Sequence, residues 1–227
     1  MVRHRHRVRV PAIAVALMVM TFSPVGLTGP GIVSAWAQAP QPYLMTTQEA
    51  VQLKQAAAYL NSVGTMRSRF AQTSSTGNYA EGTVYMKRPG RLRIEYDPPA
   101  DVLVVANGSS LIYEDGELDQ VSYIGLGDTP LGILLRESVE FTDPAITVIG
   151  MREANGLLDI DMVETDDPGQ GTLTLRFALN PMELRQWKVR DAQNVEVVVT
   201  LLAARFGVDL DDDLFFYARP PGFSQTD

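Results

Sequence analysis

The sequence predicts a mainly β protein: a large antiparallel sheet, barrel or half-barrel, preceded by one helix and interrupted by a second, short one. Three observations carry this reading. From Met66 onward, about a dozen short apolar runs are separated by hairpin-type turn residues. Within Arg91–Tyr96, Leu92, Ile94 and Tyr96 alternate with Arg91, Arg93 and Glu95, as in an antiparallel strand with one solvated face. Helical spacing, by contrast, is confined to Thr46–Leu60 and the short TPLGILLR stretch at Thr129–Arg136.

The elements follow in order. Thr46–Leu60 opens with Thr46 and Glu49 in capping-box spacing, carries Ala50, Leu53, Ala57 and Leu60 as an apolar stripe, and stops at Asn61 and Gly64. The first strands are expected at Met66–Thr73, Gly82–Arg88, Arg91–Tyr96, Val102–Ala106, Ser110–Glu114 and Leu118–Tyr123. Pro89-Gly90 marks a tight turn, and Asn107-Gly108 and Asp115-Gly116 suit type I′ hairpins. Thr129–Arg136 then reads as a short apolar helix opened by Pro130, serving as a core plug or a mobile lid. Further strands are expected at Ala145–Arg152, Leu157–Val163, Thr172–Ala178, Leu184–Arg190, Val195–Leu202 and Asp213–Tyr217. Turns fall at Asn155-Gly156, Pro168-Gly169, Asn180-Pro181 and Gln193-Asn194. With no linker or fixed-period repeat, residues 38–219 read as one domain and residues 220–227 as a disordered tail.

The N-terminus reads as a secretory signal peptide over residues 1–37. Arginines at 3, 5, 7 and 9 precede an apolar run from Ala12 to Phe22, and Ala35-Trp36-Ala37 offers an A-x-A cleavage site. Pro24, Gly26, Gly29, Pro30 and Gly31 interrupt the run short of the roughly 20 apolar residues a membrane-spanning helix needs. Cleavage after Ala37 leaves 190 of the 227 residues and, by removing four arginines, takes the net charge from −8 to −12.

That processing narrows the chemistry. The chain has no cysteine, and its two histidines, His4 and His6, are lost with the signal peptide. Ser-His-Asp triads, Cys-His dyads, histidine or cysteine metal sites and disulfides are thereby excluded. The acidic balance argues against nucleic acid as a partner, despite the basic cluster Lys87, Arg88, Arg91 and Arg93. No P-loop, GxGxxG or GxSxG motif is present; Gly125-Leu126-Gly127 is a loop with two glycines, and Ser109 and Ser110 lack a base. Glu95 with Asp97, Asp159 with Asp161, and Asp166 with Asp167 are conceivable catalytic carboxylates, but alternation and turn chemistry put them in solvent. Asp209, Asp211, Asp212 and Asp213 offer hard oxygen ligands for calcium, yet they lack an EF-hand's glycine and distal glutamate and read as a solvated connection. No cofactor or metal is expected, and binding through an apolar surface is favoured over catalysis.

One stretch is specific. Phe70-x-Gln72, Gly82 before a strand, Lys87-Arg88-Pro89, Pro98 or Pro99, Asn107-Gly108 followed by Leu111 and Tyr113, and Thr129-Pro130-Leu131 occur in this order after a signal peptide. The combination resembles the LolA family of periplasmic outer-membrane lipoprotein carriers, closely over about residues 46–136 and loosely beyond. The resemblance implies an incomplete, half-open antiparallel β-barrel covered by short α-helices, with Thr129–Arg136 as part of the lid. It implies a non-enzymatic, monomeric periplasmic carrier. Such a carrier takes acylated lipoproteins from an inner-membrane ABC-type release complex and hands them to an outer-membrane receptor. Arg88 matches the arginine of the family's Lys-Arg-Pro motif and is expected to bond lid carbonyls as a latch. Phe70, Val84, Met86, Leu92, Ile94, Tyr96, Leu103, Val105, Ile112, Leu131, Leu134 and Leu135 are the candidate lipid-contacting residues; Ile94 stands where the family usually shows an aromatic. The alternatives are a related half-barrel binding another lipid or acting as a sensor, and a carboxylate-only hydrolase using Asp159 or Asp166.

Overall fold

The computed structural model describes residues 40–226, so the segment read as a signal peptide lies outside the described residues. Helix α1 (Thr47–Ser62) leads into β1 (Thr65–Ser74), β2 (Tyr79–Lys87), β3 (Arg91–Tyr96), β4 (Val102–Asn107), β5 (Ser110–Asp115) and β6 (Gln120–Gly125). After a 3-10 turn at Leu126–Asp128 and the one-turn helix α2 (Leu131–Leu134) come β7 (Ile146–Ala154), β8 (Leu157–Glu164), β9 (Gly171–Leu179), β10 (Met182–Asp191) and β11 (Glu196–Phe206). Two further 3-10 turns, Pro168–Gln170 and Asp212–Phe215, and a final strand β12 (Ser224–Thr226) complete the order.

All strands join one sheet in the order β12-β6-β5-β4-β3-β2-β1-β11-β10-β9-β8-β7. Neighbours are antiparallel except β12, which runs parallel to β6. The sheet does not close: β12 and β7 are its two edges. This is the half-open, mainly β architecture that the sequence implied.

Alternation builds the inner face. Met66, Phe70, Val84, Met86, Leu92, Ile94, Tyr96, Val104, Ala106 and Leu111 are buried with Ile160, Leu175, Phe177 and Trp187 from the other half of the sheet. Against this face packs α1 through Leu53, Ala56, Ala57 and Leu60. The capping box forms as read: Glu49 N donates to Thr46 Oγ1 at 3.3 Å and Thr46 N donates to Glu49 Oε2 at 2.8 Å. Gly82 has a packing reason, since a Cβ there would collide with the Glu95 carbonyl and the Phe70 ring.

Four expectations are corrected. The helix predicted over Thr129–Arg136 is a single turn at Leu131–Leu134, although Leu131, Ile133, Leu134 and Leu135 are all buried. Asp115-Gly116 does not form a two-residue turn: Asp115 pairs with Gln120 across a longer loop, and Asp119 takes the positive φ. Asp115 Oδ1 accepts from the amides of Glu117 and Leu118, so the aspartate organises the loop instead. Asp213–Tyr217 is a 3-10 turn followed by extended chain, because the strand positions beside it are already filled. The chain after Pro220, expected to be disordered, adds β12, with Ser224 N donating to Asp119 O at 2.9 Å.

Residues 207–226 thus form a strap over the outer face. Lys87 and Arg91 both pair with Asp212, and Arg93 Nη1 donates to Leu214 O at 3.4 Å. Tyr217 Oη donates to Glu114 Oε2 at 2.7 Å. Beneath the strap, Val105, Ile112 and Val121 form a second apolar cluster with Leu103, Tyr217 and Phe223. Lys87, Arg91 and Arg93 of the basic cluster and Asp212 of the aspartates noted in the sequence therefore hold this strap.

Candidate functional site

Between the inner face and its cover lies a cavity of about 660 Å³. Its wall is mostly apolar: Ile94, Val104, Leu111, Leu131, Trp187, Val197 and Val199 contribute from β3, β4, β5, the α2 turn, β10 and β11. Its rim runs through Asp128–Leu131, Asp167 with Gly169 and Gln170, and Asp191–Gln193. The rim aspartates make the entrance acidic while the interior is greasy.

One buried polar pair interrupts the wall. Tyr96 Oη donates to Gln72 Oε1 at 2.8 Å, and burial pushes the phenol well above its ordinary pKa. At the rim, Gln170 buries Oε1 without a hydrogen-bond partner among the described residues.

Of the twelve candidate lipid-contacting residues, Ile94, Tyr96 and Leu131 line this cavity. Phe70, Val84, Met86, Leu92, Leu134 and Leu135 sit in the packed inner core beside it, with Phe70 edge-on to Tyr96 at 5.3 Å. Leu103, Val105 and Ile112 are a correction: they face the opposite side of the sheet, under the C-terminal strap. Residues 102–106 are apolar on both faces, so alternation alone did not say which side was inward. Trp187, Val197 and Val199 were missed because the resemblance was loose there, although their strands were read correctly.

The cover is held at one junction. Arg88 follows β2 directly, and its guanidinium is half-buried, which lowers its pKa through lost hydration. Nε donates to Arg136 O at 2.8 Å and Nη1 donates to Leu60 O at the end of α1. Nη2 reaches Glu137 O and Asn61 Oδ1, both at 3.4 Å. Asn61 completes the junction: its Oδ1 accepts from Val139 N at 2.8 Å and its Nδ2 donates to Val139 O at 3.2 Å. Gly90 N adds a bond to Leu135 O at 2.8 Å. One arginine therefore ties sheet, helix α1 and the chain after α2 together through five-donor geometry that no other side chain offers.

Of the conceivable catalytic carboxylates, Asp167 lies on the cavity rim, whereas Asp97, Asp159 and Asp161 lie outside the lining. Asp159 is buried between Arg152 and Arg176, and Arg176 in particular holds its carboxyl below the usual range. Asp161 accepts from Thr174 Oγ1 at 2.5 Å, and Asp97 pairs with Arg69. Each is spent on a structural partner. Among the described residues, no group of three or more acidic side chains is arranged to hold a metal ion.

An open sheet curled around an apolar cavity, with polar chemistry confined to its rim and one buried pair, defines a half-barrel of the containing kind. The family model for the outer membrane lipoprotein carrier protein LolA matches residues 61–218, and the chain belongs to that family. An outer-membrane lipoprotein carrier protein of Methylococcus capsulatus is 25% identical over 174 residues, covering 73% of this chain and 82% of the relative. One from Nitrosomonas europaea is 30% identical over 95 residues, which is 38% of this chain and less than half, 46%, of that relative. A solved LolA superfamily protein from Nitrosomonas europaea aligns over 77% of this chain and 99% of its own, at 10% identity and a TM-score of 0.42.

Proposed function

We propose that the protein is a periplasmic carrier that shields the acyl chains of lipoproteins. In this reading it loads at an inner-membrane ABC-type release complex and unloads at an outer-membrane receptor. The observation that carries the reading is the 660 Å³ apolar cavity beneath a cover held by one arginine junction. Family membership and the relatives' names support the same conclusion.

The physical argument is one of size and balance. At about 30 Å³ for each methylene-sized group, taking the bulk of a water as the guide, the cavity holds on the order of 20 such groups, the bulk of one long acyl chain. Each buried methylene contributes about 0.8 kcal/mol, enough to draw a chain out of water. A multi-acyl anchor exceeds that volume, so its loading requires the cover to lift from the sheet. A carrier must also let go, and in this reading the arginine junction, whose hydrogen bonds to backbone carbonyls contribute a few kcal/mol, is the part of the cover's attachment that opens and closes.

The test is release from spheroplasts making an outer-membrane lipoprotein, with purified protein added and the soluble fraction examined. A one-to-one complex that needs the intact acyl anchor is expected. Soluble, folded protein that captures no lipoprotein would overturn the reading.

A further inference from the structure

We propose that Gln72, oriented by Tyr96, is a specificity group that donates a hydrogen bond to the carbonyl of a bound acyl chain. The proposal rests on the carrier reading and names what that cavity selects. Gln72 is 4% exposed, and its Oε1 is occupied by the Tyr96 hydroxyl. Its Nε2, by contrast, has no hydrogen-bond partner among the described residues, and the side chain lines the cavity. The amide nitrogen opens onto the cavity, and a ligand that displaces solvent there without accepting from its N–H groups leaves them unsatisfied at a cost. Core positions around it are filled by Phe70, Val197 and Val199, so an apolar residue would have served a purely structural role.

Position decides which acceptor fits. Gln72 pairs with Val199 on β11, and Ser74, two residues on, pairs with Val197. This is the sheet end where the Asp191–Gln193 turn rims the cavity. A chain lying with its tail inward therefore brings its head-end carbonyl, not its methylenes, past Gln72. The matching acceptor is the C=O of an ester or an amide, the two linkages by which fatty acids join a lipoprotein anchor. A plain alkyl chain fills the same volume but leaves the amide unpaired, so the site discriminates against it. Tyr96 is the positioning residue: its hydroxyl holds Oε1 and turns Nε2 toward the cavity.

The experiment compares three synthetic lipopeptides of equal chain length: ester-linked, amide-linked and ether-linked. Affinities are measured by calorimetry for the wild type, Gln72→Met and Tyr96→Phe. The wild type is expected to bind the ester or the amide roughly 3- to 10-fold more tightly than the ether, the range of one net hydrogen bond. Gln72→Met brings that ratio to about one, and Tyr96→Phe reduces it. The preferred linkage, ester or amide, identifies which carbonyl is read. Equal wild-type affinity for all three overturns the role of Gln72 and leaves the carrier reading standing; no binding of any of them removes both. Should Gln72→Met fail to fold, the wild-type side-chain amide resonances decide. They shift with carbonyl ligands and not with the ether if the proposal holds, and shift alike for all three if it does not.

Discussion

Replacing Arg88 by leucine isolates the junction over the cavity. The guanidinium makes two well-formed bonds, to Leu60 O and to Arg136 O at 2.8 Å, and two at 3.4 Å that add little. Charge-assisted bonds of this kind contribute about 1.5–3 kcal/mol each, partly offset by the hydration the half-buried guanidinium gives up. A net of about 2 kcal/mol on the closed state is a roughly 30-fold change in the opening equilibrium. The cover does not detach entirely, because Leu131, Ile133, Leu134 and Leu135 remain buried and Asn61 still pairs with Val139. Native-state hydrogen exchange reads the effect directly. The amides of Leu135 and Val139 are expected to exchange about 30-fold faster in Arg88→Leu, while those of Leu173 and Leu175 in β9 keep their wild-type rates. In the spheroplast assay the same variant is expected to release its cargo abnormally or fail to load it. A change below threefold at Val139, or equal acceleration in β9, would refute the latch and leave Arg88 as an ordinary contributor to global stability.

Three further outcomes follow from the same geometry. Ile112→Ala, on the outer face under the strap, should cost about 2–4 kcal/mol in chemical denaturation and leave lipopeptide affinity at the wild-type value. In a protein produced from Gln38 onward, Trp187 is the sole tryptophan and lines the cavity, so brominated acyl chains should quench its fluorescence while the short peptide without chains should not. Asp159→Asn should lower stability at pH 7 by about 1–3 kcal/mol, measured by denaturant midpoint. Because Arg176 and Arg152 depress the Asp159 pKa in the folded protein, its contribution is complete above the unfolded value near 4. The gap between wild type and variant should therefore narrow as pH falls below about 4.

Much of the sheet was legible because its strands obey alternation. Arg91–Tyr96 was read with the observed bounds, and Asn155-Gly156 sits at positive φ in both residues, as a type I′ turn demands. Face assignment failed at β4 and β5 for a physical reason. Val102 to Ala106 has no polar side to mark solvent, because its outer side is covered by a strap arriving from about 110 residues later in the chain. The strap itself was illegible: Pro220-Pro221-Gly222 reads as a break, and nothing local announces that β12 will find β6. Arg88 emerged from a motif rather than from periodicity, and its contacts with Arg136 and Glu137 are set by tertiary folding alone. Gln72 entered only as part of the Phe70-x-Gln72 motif and was not among the candidate lipid-contacting residues, because a polar side chain in a strand does not announce the cavity beside it.

The order of the strands gives the molecule its compliance. β6 and β7 follow each other in the chain yet lie at opposite sides of the sheet, and residues 126–145 are the one covalent link between them. Spreading the two flanks breaks no bond between neighbouring strands; it bends a continuous ladder and strains that link together with its contacts to both halves, Gly90 with Leu135 and Arg136 with Glu164. The protein is in this respect a spring clip whose jaw is tethered by a short strap of chain. Lengthening residues 137–145 is therefore expected to let the two flanks part further with every strand left untouched.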